Sequence, residues 1–164
     1  MAAKLVFTMS NTYDQGGRQG ICTCASMQWA RKTLERNRGL GSFDELSLSD
    51  HQMNAVMAQL RKLDADPAGQ SALMGLSPVG GDIGVAAVAD VIRHAKSTAP
   101  HMAIFWTQSH TMGFRAGKEN EFFDIEKGLW CSSDDREVLK VMRDVFRNGG
   151  YGPVLGMRVV KLAS

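Results

Sequence analysis

A chain of 164 residues, 44% of them hydrophobic, is long enough to close one domain around one core, and it does not have the composition of a disordered segment. The net charge is only +2 and no run of Lys or Arg exceeds two residues, so the basic stripe needed to bind nucleic acid is missing. No apolar stretch approaches the roughly 18 residues of a membrane span, and MAAKLVFTMS lacks the long apolar run and small-residue cleavage site of a classical secretory signal.

Leu5-Val6-Phe7 is a short apolar patch, followed by a polar loop from Asn11 to Gln19 that contains Gly16-Gly17. Helical periodicity begins at Ile21. Ala25, Met27, Trp29, Ala30 and Leu34 form the apolar face, Arg31, Lys32, Glu35 and Arg36 the wet one, and Arg38-Gly39-Leu40-Gly41 the stop. Ser49 and Gln52 make a capping-box pair, and Met53, Val56, Met57 and Leu60 predict a second amphipathic helix running to about Leu63. Asp64 to Gly69, with Pro67, reads as a connection, and Ser71 to Leu76 as one helical turn. Asp82 is the expected N-cap of a third helix over Ile83 to His94.

Strand texture follows Pro100. His101 to Thr107, His110 to Arg115 and Glu121 to Ile125 read as strands, the last two joined by a loop at Ala116-Gly117-Lys118. Ser133 or Asp134 caps a last helix whose apolar face is Val138, Val141, Met142 and Val145. Asn148-Gly149-Gly150 stops it, and Val154 to Leu162 is the final strand. Helices dominate the first half and strands the second, so the expected class is α+β: N-terminal helices packed on a C-terminal antiparallel β-sheet, in one domain spanning 1–164.

Three residues stand out chemically. Cys22 begins a helix after a Gly-rich loop, where unpaired N–H groups and the positive end of the helix dipole favour a thiolate and can stabilise an oxyanion. With residues 116–118 as a three-residue hairpin loop, partners sum to 234 and His110 falls opposite Asp124. An Asp in that position can hold an imidazole in one tautomer and aim it at a thiol. Cys22, His110 and Asp124 are therefore the candidate nucleophile, base and orienting group.

Three segments also resemble the YopT/AvrPphB family of cysteine proteases. Gly20-Ile21-Cys22, with Ser26 and Trp29 behind, resembles its nucleophile segment; His110-Thr-Met-Gly113 its His segment; and Phe122-Phe123-Asp124, with Gly128 four residues on, its Asp segment. The resemblance implies a papain-like fold and cleavage of a protein of a target cell by a bacterial effector or toxin. It also implies secretion by a specialised route without a classical signal peptide, and action in the target-cell cytoplasm. Ile125 and Glu126 stand where the family usually has Pro and Asn, which leaves the substrate open and allows deamidation or acyl transfer with the same triad, or a binding module without turnover. Gln19-Gly20-Ile21-Cys22-Thr23-Cys24 also resembles papain's nucleophile segment, one residue short. That alignment makes Cys24 the alternative nucleophile, although the spacing to Ser26 and Trp29 favours Cys22, and it makes Gln19, with Gln15, an oxyanion candidate.

Other features read as structural. Cys131 has no His near it in sequence, so no metal site is expected, and no cofactor. Met53, Met57, Met74 and Met142 read as core filler, His51 and His94 as solvent-facing, and Gly80-Gly81-Asp82-Ile83-Gly84 lacks the Gly-Lys-Ser/Thr of a phosphate loop.

Overall fold

Met102-Ala103-Ile104-Phe105 and Phe122-Phe123 are apolar at neighbouring rather than alternate positions, the pattern of strands covered on both faces. A computed structural model describes residues 2–8, 21–46 and 67–163. Its strands are β1 (Lys4–Thr8), β2 (Leu76–Pro78), β3 (Met102–Trp106), β4 (Thr111–Arg115), β5 (Asn120–Asp124), β6 (Gly128–Ser132) and β7 (Gly156–Leu162). Its helices are α1 (Ile21–Arg36), α2 (Pro67–Leu73), α3 (Val88–Ser97) and α4 (Asp135–Gly149), with a 3-10 turn at Phe43–Leu46. The strands form one antiparallel sheet in the order β1-β6-β5-β4-β3-β7-β2.

Each face of the sheet has its own core. On one, Met102, Ile104, Phe123, Leu129 and Val160 pack under Ala25, Met27, Trp29 and Ala30 of α1. On the other, Ala103, Phe105, Met112, Phe114, Phe122 and Val159 pack under α3 and α4 through Val91, Ile92, Val138 and Met142. The mixed helix and antiparallel sheet is the expected α+β class. The last helix is also as expected: the Asp134 side chain accepts from Arg136 N at 2.9 Å, and the helix closes at Gly150.

Several local expectations are corrected. The third helix begins at Val88, not Ile83, because the segment before it is committed elsewhere: Ile83 exchanges both backbone hydrogen bonds with Met157, at 2.8 and 2.9 Å, and the Asp82 carboxylate is held by Arg158 at 2.9 and 3.2 Å. The β4–β5 loop spans 116–119 and Arg115 pairs with Glu121, so partners sum to 236, not 234. The Asn120 side chain closes that loop by accepting from Gly117 N at 3.4 Å. The Pro67–Gly69 connection is the start of α2, and Leu76 opens β2 rather than ending a helical turn. Strands β1, β2 and β6 were not anticipated. The expected second helix, with Ser49, His51, Gln52, Met53 and Met57, falls on residues outside those described, as do Gln15 and Gln19.

Candidate active site

The site forms at the end of the sheet where β4 begins and β5 ends. Cys22 lies in the first turn of α1, half-buried and packed against the core beneath that helix. Two contacts join this turn to the first residue of β4. The Thr23 and Thr111 hydroxyls lie 2.9 Å apart, and Ser26 Oγ donates to the Thr111 carbonyl at 3.3 Å. One turn further on, Trp29 stacks on Phe123 with ring centroids 5.3 Å apart and planes 6° apart. The same ring covers Gly113, where a Cβ would fall on Trp29 Cε3 and Cζ3. The helix that carries Cys22 is thus seated on β4 and β5, the strands beside which His110 and Asp124 stand.

His110 is delivered by the turn between β3 and β4. Thr107 Oγ1 accepts from the N–H groups of Ser109 and His110, at 3.3 and 3.2 Å, and Thr107 N donates to the His110 carbonyl at 2.8 Å. His110 Nε2 then meets Asp124 Oδ1 at 2.7 Å, with the two side chains 6% and 0% exposed. The two residues therefore meet, although not as directly opposed partners. The two-residue difference in register keeps the side-chain parity, so His110 reaches Asp124 along a diagonal of the pair.

Asp124 is held from two further directions. Glu126 N donates to Oδ1 at 2.9 Å, and the Tyr151 hydroxyl donates to Oδ2 at 2.7 Å. The Tyr151 ring lies 4.5 Å from the His110 ring, and its hydroxyl is 3.2 Å from Glu126 Oε2. No local pattern marks Tyr151 as part of the site. Its only cue is its place just past the Asn148-Gly149-Gly150 stop of α4, and nothing there points 27 residues back to an aspartate.

The electrostatics separate the two neighbouring thiols. Burial would push Cys22 up, yet the hydrogen bond and charge of His110, with hydrogen bonds from the Thr111 backbone and side chain, hold it below its ordinary 9.0. Burial alone would lower His110, but bonds to Asp124 and Cys22 and their charges push it up to about 10. With Nε2 engaged by Asp124, Nδ1 is the nitrogen left for the thiol. Cys24 is 1% exposed in the core under α1, and burial pushes it up to about 12. Cys131, half-buried in β6, is also raised, first by burial and then by the Glu119 carboxylate.

No protein-family model and no curated protein matches the chain. Solved structures do. The Pseudomonas avirulence protein AvrPphB matches with a TM-score of 0.54 over 99% of this chain and 97% of its own, at 16% identity. PatoxP, a cysteine protease-like domain of the Photorhabdus asymbiotica toxin PaTox, matches with a TM-score of 0.57 over 96% of this chain and 53% of its own, at 13% identity. The fold is papain-like, of the AvrPphB type. The papain-like fold gives the motif residues physical work. Ser26 ties α1 to β4, Trp29 and Gly113 form one close contact, and Gly128 leaves room for the Phe7 carbonyl of β1, which a Cβ would strike.

Proposed function

We propose that this chain is a cysteine protease in which Cys22 is the nucleophile, His110 the proton carrier and Asp124 the group that orients the imidazole. One observation carries the reading. His110 Nε2 lies 2.7 Å from the fully buried Asp124 carboxylate, and the same imidazole, itself raised, holds the Cys22 thiol below its ordinary range. The Cys22 thiolate attacks a substrate carbonyl and the C=O π pair moves to oxygen. Collapse expels the amine, which takes the proton from His110, and leaves a thioester on Cys22. His110 then takes a proton from water, the hydroxide attacks the thioester, and the acid leaves as the thiolate returns. Asp124 keeps the ring in the tautomer and orientation that both transfers need. The chemistry requires no metal or cofactor.

First-turn N–H groups of α1 are suited to bind the oxyanion, with Gln19 or Gln15 as side-chain donors. Cys24 is a poor nucleophile, because a thiol sealed in an apolar core and raised to about 12 is rarely ionised. Residues 1–164 act as one catalytic unit on a protein substrate. The matched structures come from an avirulence protein and a toxin, which supports secretion by a specialised route and action on a protein in the target-cell cytoplasm. No helix among the described residues is long and apolar enough to cross a membrane.

The test is a comparison of new protein N-termini in a target-cell lysate treated with the wild-type chain or with Cys22→Ala. Termini that recur at one sequence with the wild type and vanish with the variant support the protease. Ammonia released from protein without new termini indicates a deamidase. A partner retained equally by both proteins without turnover indicates a binding module.

A further inference from the structure

We infer that Tyr151 is a positioning residue of this site, whose hydroxyl fixes the Asp124 carboxylate in the orientation that receives the His110 imidazole. The inference rests on the triad reading above. Asp124 is fully buried, so each of its oxygens needs a donor from the protein. Oδ1 has two, His110 Nε2 at 2.7 Å and Glu126 N at 2.9 Å. For Oδ2 the donor among the described residues is the Tyr151 hydroxyl at 2.7 Å. Bonds on both oxygens hold the carboxylate against rotation about Cβ–Cγ, which a donor on one oxygen alone would permit.

The phenol is delivered by a rigid support. Tyr151 N donates to the Phe146 carbonyl at 3.2 Å, which sets the backbone against the end of α4. The ring packs edge-on to Phe146, with centroids 5.4 Å apart, and also lies against the His110 ring. A phenylalanine would satisfy the packing alone; the hydroxyl has work only at the carboxylates. Burial, with the charges of Asp124 and Glu126, holds Tyr151 above its ordinary range, which keeps the phenol a neutral donor. Glu126 Oε2, at 3.2 Å, is the longer of the two acceptors for that single proton. The ring also shields the His110–Asp124 bond from water, which strengthens it.

Alkylation of Cys22 by iodoacetamide reads this role without a known substrate. Rates are followed against pH, with the modified sulfur located by tandem mass spectrometry, in wild type, Tyr151→Phe, Asp124→Asn and the double variant. A loosened carboxylate stabilises the imidazolium less, and the imidazolium then stabilises the thiolate less. Tyr151→Phe should therefore move the Cys22 profile to higher pH and slow alkylation near neutrality by about threefold to tenfold. Asp124→Asn should do more, and the double variant should match Asp124→Asn alone. Melting temperatures restrict each reading to folded protein. An unchanged profile in Tyr151→Phe, or an effect that multiplies with that of Asp124→Asn, would reduce Tyr151 to a core aromatic and leave the triad standing. An unchanged profile in Asp124→Asn would remove the triad reading and this inference with it.

Discussion

Cys22 and Cys24 are two residues apart on one helix, yet their thiols are driven in opposite directions. Cys24 points into the core under α1, where burial raises it, whereas Cys22 meets His110 and Thr111. Cys22→Ala should abolish turnover and leave the fold intact. Cys24→Ala should keep its rate per folded molecule and lose about 1 kcal/mol of stability from the core. Parallel activity and thermal-melting measurements check both, and full activity in Cys22→Ala would transfer the role. Asp124→Asn should lower the single-turnover rate by about tenfold to a thousandfold with little change in KM, because an orienting group acts mainly on the transition state. Asp124 also accepts from Glu126 N, so a lowered melting temperature at an unchanged rate would leave it only a turn-capping role. Cys22, His110 and Asp124 were legible in sequence as candidates because each sits in a short local pattern. Tyr151 was not, since its partnership depends on how the end of α4 falls across β5.

At the scale of elements, the contact between Trp29 and Gly113 fixes the distance from α1 to β4. Gly113→Ala drives a methyl group into the indole. It should cost about 1–3 kcal/mol as an overpacked core site. The displaced helix should also carry Cys22 away from His110, slowing alkylation in the folded protein. Trp29→Phe added to Gly113→Ala should recover part of both losses; additive damage instead would show that the two sites do not share a seat. The sequence was clear where elements carry their own periodicity, as in α1, α4 and β3. It was silent for β1, β2 and β6, of which β1 and β2 are sheet edges and β6 draws half its pairing from β1. The β4–β5 register differs from the expected one because Asn120, which looks like loop punctuation, closes a longer loop and opens β5, donating to Asp135 Oδ1 at 2.7 Å. The candidate pair survived because a shift of two residues keeps the parity of a strand.

Across the whole molecule, the site joins α1, on one face of the sheet, to the β4–β5 end and to Tyr151 from the core on the other face. Arg158 ties remote segments together in a comparable way. Nearly buried in β7, it bonds Asp82 twice and Gln70 at 3.0 Å, and stacks 5.2 Å over Trp106. Arg158→Met should lower stability by about 1–3 kcal/mol, seen as a reduced melting temperature, because Asp82 and Gln70 lose their charged donor. An unchanged melting temperature would show that the network contributes nothing net.

The thiolate and imidazolium fix the sign of the pH response. Raised to about 10, His110 stabilises the fold fully below its ordinary 6.5, and that contribution is lost as pH rises through about 10. Cys22 is lowered, so its contribution is present above 9.0 and lost as pH falls through its folded value. Between those limits both groups are charged. The most direct test is the pH profile of iodoacetamide alkylation at Cys22 in wild type and in His110→Ala. The wild type should reach half-maximal rate below pH 9.0, and His110→Ala should move that midpoint above 9.0, because burial then acts with its main opponent removed. Coincident profiles, both with midpoints at or above 9.0, would make Cys22 an ordinary buried thiol and contradict the account.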